Sequence, residues 1–200
     1  MNGAGESARD ELAAAAARMI ADHGLDYRSA KQKAARELFG GSSIPRNCQP
    51  STEDIDRALR EHLDLFDPNH EQRVARMRAV AISWMKELAG FHPLATGAVW
   101  KGLATEHTVI HLQLFHDNGK EVQYFLIDRH VDFEATTVSH FRRGGEAEAY
   151  QFVADGETIV LAVYDFDDIK GALKPGQAVA AESDRGPLAA LIERAERVGS

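Results

Sequence analysis

The sequence predicts an α+β protein in which a helical amino-terminal half precedes a small mixed β-sheet. Apolar residues recur at helical spacing through about the first 90 residues, and apolar and polar residues alternate with a period of two after residue 108. Helices that cluster before strands favour α+β over an alternating α/β order. We therefore predict a helical region of about four helices over residues 1–92 and an α+β domain with a carboxy-terminal helix over residues 93–200.

The composition of the chain is that of an ordinary globular protein. It has 200 residues, of which 44% are hydrophobic and 27% charged, with a formal net charge of −8. These values exclude a collagen, a disordered chain and a small disulfide scaffold. The single cysteine, Cys48, permits no internal disulfide, and the sequence has neither a membrane-length apolar run nor an export-signal pattern. We expect a cytoplasmic protein that does not contact membranes.

Start and stop residues delimit the first two predicted helices. Ser7 is expected to cap the first helix, which stops at Gly24. Ser29 and Gln32 form a capping-box pattern for the second, which ends near Gly40. This second helix carries the densest basic segment of the chain, formed by Tyr27, Arg28, Lys31, Lys33 and Arg36. The segment suits a solvated surface paired with acidic residues, and it also suits a nucleic acid or an acidic protein partner.

Inward-facing stripes define the third and fourth predicted helices. The third begins at Ser51 or Thr52 and places Ile55, Leu59, Leu63 and Phe66 inward. The fourth places Val74, Met77, Ala81, Trp84, Met85 and Leu88 inward, with Arg73, Arg76, Arg78 and Lys86 mostly off that stripe. The Trp84 and Met85 stripe also suits a homodimer interface.

Alternation predicts the strands that follow. Residues 109–115 place Ile110, Leu112 and Leu114 on one face and Val109, His111 and Gln113 on the other. Residues 120–129 suit a helix better than a strand, and residues 131–141 are expected to be extended. Residues 149–153 and 158–164 flank Asp155 and Gly156, which predicts a β-hairpin. A last helix is expected to start near Ser183 or Asp184, with Pro187 in its first turn.

The segment 97–112 resembles the signature of the nucleotidyltransferase superfamily, the DNA polymerase beta-like fold. In that family a Gly-Ser turn leads through a second glycine to an Asp-x-Asp strand. Gly97 matches the first glycine, Lys101 and Gly102 match the basic residue and the second glycine, and Ala104 matches a small residue; Ile110 and Leu112 match the core positions that flank the carboxylates. The resemblance extends over about residues 96–164 and implies a nucleotidyltransferase-like sheet domain.

The metal-binding carboxylates of the family are replaced in this chain. The two strand positions hold Val109 and His111, Val160 occupies the place expected for a third carboxylate, and Ala98 replaces the turn serine. Valine offers no oxygen to Mg²⁺, and imidazole is a poor ligand for so hard a cation. Transfer by two metal ions is therefore not expected, and we predict no metal and no cofactor.

The resemblance then implies a binding or regulatory module for a nucleotide, a nucleic acid or a protein. Its ligand-binding residues are predicted to be Gly97, Ala98, Trp100, Lys101 and Gly102, and the residues predicted at the catalytic position are His111 and Gln113. Trp100 suits stacking on a base and equally suits packing in the core. One alternative is an active nucleotidyltransferase in which Asp117, Asp165 or Asp167 meets His111 and Gln113 to hold Mg²⁺. Another is a homodimeric interaction protein with no affinity for nucleotides.

A zinc site formed by His107, His111 and His116 is not expected. Residues four apart on an extended strand lie about 13 Å from each other, whereas zinc–nitrogen bonds are about 2.1 Å.

Overall fold

A computed structural model describes residues 3–40, 45–173 and 183–198 of the chain. Within these ranges it confirms the α+β class, with helices in the amino-terminal half and a six-stranded mixed sheet. The α-helices are Gly3–His23 (α1), Tyr27–Phe39 (α2), Thr52–Phe66 (α3), His70–Glu87 (α4), Gly97–Lys101 (α5), Gly119–Asp128 (α6), Ile169–Ala172 (α7) and Leu188–Val198 (α8). The strands are Leu94–Thr96 (β1), Ile110–Phe115 (β2), Phe133–Ser139 (β3), Glu146–Ala154 (β4), Glu157–Tyr164 (β5) and Arg185–Pro187 (β6). No helix within the described ranges is both long enough and apolar enough to cross a membrane.

The strands lie in the order β3-β4-β5-β2-β1-β6. Strands β2 and β5 are parallel, and every other neighbouring pair is antiparallel. The parallel pair needs a crossover connection, and α6 lies in the chain between its two strands.

Contacts divide the chain into two compact units. Unit 1 comprises Met1–Arg73 and Leu103–Thr108, and unit 2 comprises Val74–Gly102 and Val109–Ser200. This division differs from the predicted boundary between residues 92 and 93. It assigns most of α4 to the unit that contains the sheet, and it assigns residues 103–108 to the unit that contains α1, α2 and α3.

In unit 1 the predicted ends of α1 and α2 are confirmed, but the residues predicted to cap their amino termini are wrong. Helix α1 ends at His23 and α2 at Phe39, each followed by a glycine with positive φ, as predicted. The predicted cap at Ser7 is wrong, because α1 already begins at Gly3. The predicted capping box at Ser29 is also wrong. The carboxylate of Asp26 caps α2 by accepting from the backbone N–H groups of Arg28 and Ser29, at 3.0 Å each.

Helix α3 has the predicted start but a different end. Ser51 and Asp54 form a reciprocal capping box, and Ile55, Leu59 and Leu63 are buried as predicted. The prediction that Phe66 faces inward is wrong, since this residue is 71% exposed. Phe66 is the last residue of α3, and no other part of the described chain buries the apolar stripe at this end of the helix.

Helix α4 packs its apolar stripe inside unit 2. Met77, Ala81 and Met85 are fully buried, and the Trp84 ring lies 4.6 Å from the ring of Phe152 in β4. The Met85 side chain of the predicted homodimer stripe is thus buried inside unit 2 and Trp84 is half-buried, and a homodimer through this stripe stays a prediction. The prediction that the arginines lie off the stripe is wrong for Arg73 and Arg78, which are 8% and 4% exposed.

The buried Arg78 side chain is held by backbone carbonyl oxygens. Its Nε donates to the carbonyl of Val99 at 3.1 Å, and its two terminal nitrogens donate to those of Trp100 at 3.2 Å and Arg194 at 2.9 Å. The Val99 and Trp100 carbonyls lie at the carboxy-terminal end of α5, and the Arg194 carbonyl lies just before the last turn of α8. A cation that binds carbonyls at helix carboxy termini offsets their partial negative charge, which explains how a charged side chain is accommodated here.

The sheet confirms the predicted hairpin. Ala154 pairs with Glu157, and Asp155 and Gly156 both have positive φ, which defines a type I′ turn. Residues 119–128 are helical and residues 133–139 extended, as predicted. The start of the last helix is wrong: residues 185–187 form strand β6, and α8 begins only at Leu188. Strand β1 was likewise not predicted.

Candidate functional site on the His111 face of the sheet

One row of paired strand residues brings the predicted site positions together. His111 in β2 pairs with Thr96 in β1 and with Val160 in β5, and Thr96 also pairs with Arg185 in β6. Directly paired residues project from the same face of a sheet. We call the side on which Thr96, His111, Gln113, Val160, Tyr164 and Arg185 project the His111 face. His111 is exposed there, whereas Val160 is buried.

The glycine turn that begins α5 lies beside His111. Gly97 has a φ of 71°, and a Cβ added to it would lie 3.8 Å from Cδ2 of the imidazole. Gly102 ends α5 in the left-handed conformation, and a Cβ there would lie 3.0 Å from Nη2 of Arg78. Both glycines therefore have a conformational reason to be glycine, and Gly97 and His111 are neighbours in space.

A polar cluster lies next to His111 on the same face. Gln113 is buried, and its Oε1 accepts a hydrogen bond of 2.8 Å from Nη1 of Arg185. The guanidinium of Arg185 also lies 4.5 Å from the centre of the Phe141 ring. Desolvation raises the pKa of Tyr164, against smaller lowering effects of its hydrogen bond with Gln113 and of the Arg185 charge. The Tyr164 hydroxyl is therefore neutral at physiological pH.

Among the residues that the structure describes, Arg185 has no acidic partner at salt-bridge distance. Among the described residues, no carboxylate oxygen lies within 4.0 Å of its guanidinium, and Asp184 acts on it only at longer range. Desolvation lowers the pKa of Arg185, which nevertheless remains protonated at neutral pH. A partly buried cation is normally paired, so the site has an excess of positive charge.

Of the other predicted ligand residues, Trp100 is buried, whereas Ala98 and Lys101 are partly exposed. Trp100 is only 1% exposed, its Nε1 donates to the carbonyl of Ser183 at 2.6 Å, and the Arg194 guanidinium lies 4.1 Å from its ring centre. Its ring is therefore a packed core group, with no free face for a base. Lys101 lies 3.8 Å from Asp184. Ala98 in α5 and Val109 before β2 are both partly exposed.

The acidic residues considered as relocated metal ligands have other partners. Asp117 accepts from the backbone N–H of Phe166 at 3.0 Å, and Asp167 pairs with Lys170 at 2.9 Å. Asp165 lies 3.6 Å from Arg143. Throughout the described part of the chain, no group of three or more His, Cys, Asp or Glu side chains is arranged to hold a metal ion. The residues around His111 thus do not fit the magnesium ions that the resemblance implies.

Asp168, the next residue of this acidic run, lies in the core and not at the surface. It is fully buried, 2.6 Å from Nη2 of Arg143 and 3.3 Å from Nε2 of His140. The His140 Nδ1 accepts from the backbone N–H groups of Arg142 and Arg143, so Nε2 carries the proton toward the carboxylate. These ion pairs anchor the loop after β3, although neither carboxylate oxygen of Asp168 accepts a hydrogen bond from the described residues.

The basic segment of α2 divides into packed and exposed side chains. Lys31 donates to the carbonyl of Pro50 at 2.7 Å, and Tyr27 hydrogen-bonds to Asp56. Arg28, Lys33 and Arg36 are exposed. An interaction with a protein or nucleic acid through this helix stays a prediction.

Comparison of the chain with family models, curated proteins and solved structures finds no match.

Sequence reasoning missed Arg185, the residue with the most distinctive electrostatics on the His111 face. It stands in a three-residue strand that pairs with β1, and neither strand is long enough to show alternation. Its neighbours Gly186 and Pro187 are typical of a turn or a helix start. The only sequence signal was a lone arginine after an acidic tail, and that pattern has no specific meaning.

The pKa of His111 is expected to lie below the ordinary histidine value of about 6.5. The imidazole keeps some solvent exposure, but desolvation by the surrounding face disfavours its charged form. Titration of its ring protons by NMR should give a midpoint below the one measured in urea. Since folding lowers this pKa, the contribution of His111 to stability is present above about pH 6.5 and is lost as the pH falls through the folded-state value. A His111→Gln variant should show a smaller loss of stability in that range, and equal losses in both proteins would contradict this assignment.

Proposed function

We propose that this chain is a nucleotidyltransferase-like binding protein that holds a phosphate-bearing ligand, such as a nucleotide, on the His111 face without metal-dependent transfer. The single observation that carries the proposal is Arg185, a partly buried cation beside Gln113 with no carboxylate of the described residues at salt-bridge distance. An arginine in this state favours an anion, and the guanidinium fork matches the geometry of phosphate oxygens.

Two further observations support the same location. The Gly97 turn lies against His111, in agreement with the order of glycine turn and strand in the resemblance. Val160 lies directly beside His111, so two of the three positions where the family would hold a carboxylate are adjacent and carry none. A site with a fixed cation and no metal ligands is suited to binding rather than to activating an attacking oxygen. A cytoplasmic location belongs to the same proposal, since it agrees with the single unpaired Cys48.

The Arg185→Gln variant is expected to bind a nucleoside triphosphate at least about tenfold more weakly than the unsubstituted protein, because a charge-assisted hydrogen bond contributes about 1.5–3 kcal/mol. Calorimetric titration with ATP measures this loss. The matched control is Arg197→Gln, which removes the same charge from an exposed position of α8 and should bind ATP normally.

Two ligand controls make the measurement specific. Adenosine, which has no phosphate, should bind far more weakly than ATP, and EDTA should leave ATP binding unchanged. Equal affinities of ATP for the two arginine variants would overturn the role of Arg185. Transfer of label from α-labelled ATP to the protein or to an acceptor in the presence of Mg²⁺ or Mn²⁺ would overturn the absence of transfer.

A further inference from the structure

Unit 1 contains a pocket of about 450 Å³ that the proposed function does not use. Its walls are the last turns of α1 and α3, the turn at residues 67–69, and residues 105–107. The volume lies in the range of about 300–1,000 Å³ that small-molecule sites occupy.

The loop that forms one wall is fixed by specific contacts. The His107 Nε2 lies 3.3 Å from the backbone carbonyl oxygen of Asp22. A Cβ added to Gly24 would lie 2.6 Å from Cβ of His107, so the loop approaches α1 at a position where only glycine leaves room. Thr105 and Thr108 close the loop through a hydrogen bond of 2.8 Å from the Thr105 N–H to the Thr108 hydroxyl. The wall is therefore part of the folded unit.

The charges on the pocket walls are predominantly negative. Three carboxylates line it, those of Asp22, Asp67 and Glu106. The buried Arg73 pairs with Asp67 and lies 3.6 Å from Glu106, and this pairing holds the pKa of Asp67 below its usual value. Asp22 has no lysine or arginine partner among the described residues, and its carboxylate lies 3.7 Å from Nε2 of His62.

Two helix ends add to this negative potential. Asp22 lies in the last turn of α1, and His62, Leu63 and Phe66 lie in the last turns of α3. The carboxy-terminal end of a helix carries a partial negative charge, so both helices favour a cation in the space between them.

Phe66 gives the pocket an exposed aromatic wall. Its ring is 71% exposed, although its position on the α3 stripe predicts burial, and it lies 4.9 Å from the ring of His62. An aromatic face next to carboxylates suits an organic cation, which gains both cation–π attraction and apolar contact. A metal ion fits less well, because no described group of three His, Cys, Asp or Glu side chains is arranged to coordinate one.

We propose that this pocket binds an organic cation that carries a protonated primary amine. The ammonium group pairs with Asp22, and the alkyl chain packs on Phe66. This site is separate from the His111 face, so neither proposal depends on the other.

The test is a titration of the full chain, followed by NMR, with 1,5-diaminopentane and with 1,5-pentanediol as its uncharged counterpart. The diamine is expected to shift amide signals around Asp22, Phe66 and His107, and the diol is not. Asp22→Asn should weaken diamine binding by about tenfold, the loss expected for one charge-assisted contact. Phe66→Leu should weaken it by about two- to fivefold, because it keeps the apolar contact and loses the cation–π attraction.

Asp10→Asn is the matched control. It lies on the same helix with a side-chain exposure of 59%, against 58% for Asp22, and it does not line the pocket. Equal losses in Asp10→Asn and Asp22→Asn would show general attraction to an acidic protein and overturn the site. Equal shifts with diamine and diol would overturn the preference for a cation. Thermal unfolding checks that each variant is folded. If Asp22→Asn does not fold, the diamine affinity of Phe66→Leu relative to the unsubstituted protein decides the test.

Discussion

Arg78→Met is expected to lower the free energy of unfolding by about 3 kcal/mol, since breaking a buried charged network commonly costs about 3–5 kcal/mol. The substitution removes the donors for the carbonyl groups of Val99, Trp100 and Arg194 and leaves those acceptors without this partner. Urea denaturation followed by circular dichroism measures the change. Arg78→Lys keeps the charge but not the planar fork, so we expect an intermediate loss.

Lys86→Met provides the control for this prediction. It removes the same charge from the same helix at an exposed position, where substitutions usually change stability by less than about 0.5 kcal/mol. A loss at Lys86 as large as that at Arg78 would mean that helix charge, rather than the carbonyl contacts, is responsible.

Gly186→Ala is expected to destabilise the protein by about 3 kcal/mol, at the upper end of the cost of overpacking. A Cβ on this β6 residue would lie 2.6 Å from Cζ2 of Trp100. The ring has little freedom to move, because it is bound to the Ser183 carbonyl at 2.6 Å and packed under Arg194. The same denaturation experiment measures the effect.

Two comparisons test whether the Trp100 contact is the cause. Gly90→Ala adds a methyl group where no atom lies within 4 Å, so it should change stability very little. In a Trp100→Leu background the cost of Gly186→Ala should shrink, because the smaller side chain leaves space. An unchanged cost in that double-mutant cycle would exclude steric conflict with the ring.

Features with a local cause could be predicted from the sequence. The type I′ turn follows from Asp155 and Gly156 between alternating strands, and the cap at Ser51 follows from its own hydroxyl. The wrong start of α2 also has a local reason, since Asp26 and Ser29 are both good caps and the geometry selected the earlier one. The sequence near a helix end therefore identifies which residues could cap it, but it does not always decide which of two nearby candidates does so.

Features that depend on distant partners could not be predicted. Arg78 has a charged side chain and was assigned to the surface, yet its acceptors lie 21, 22 and 116 residues away in sequence. Strand β1 forms because it pairs with β2, and β6 forms because it pairs with β1. For the candidate site, the closeness of Gly97, His111 and Val160 follows from patterns visible in the sequence, whereas Arg185 reaches the site through β6.

The discontinuous composition of the two units has a consequence for how the gene can be divided. Residues 103–108 belong to unit 1, although the stretches on either side of them belong to unit 2. No single cut in the polypeptide therefore separates the two units. A cut after residue 92 would remove α4 from the fragment that contains the sheet, and that fragment would still carry residues 103–108 of unit 1. Recombination that shuffles whole folding modules would need at least three junctions here, so we expect the two parts to be inherited as one.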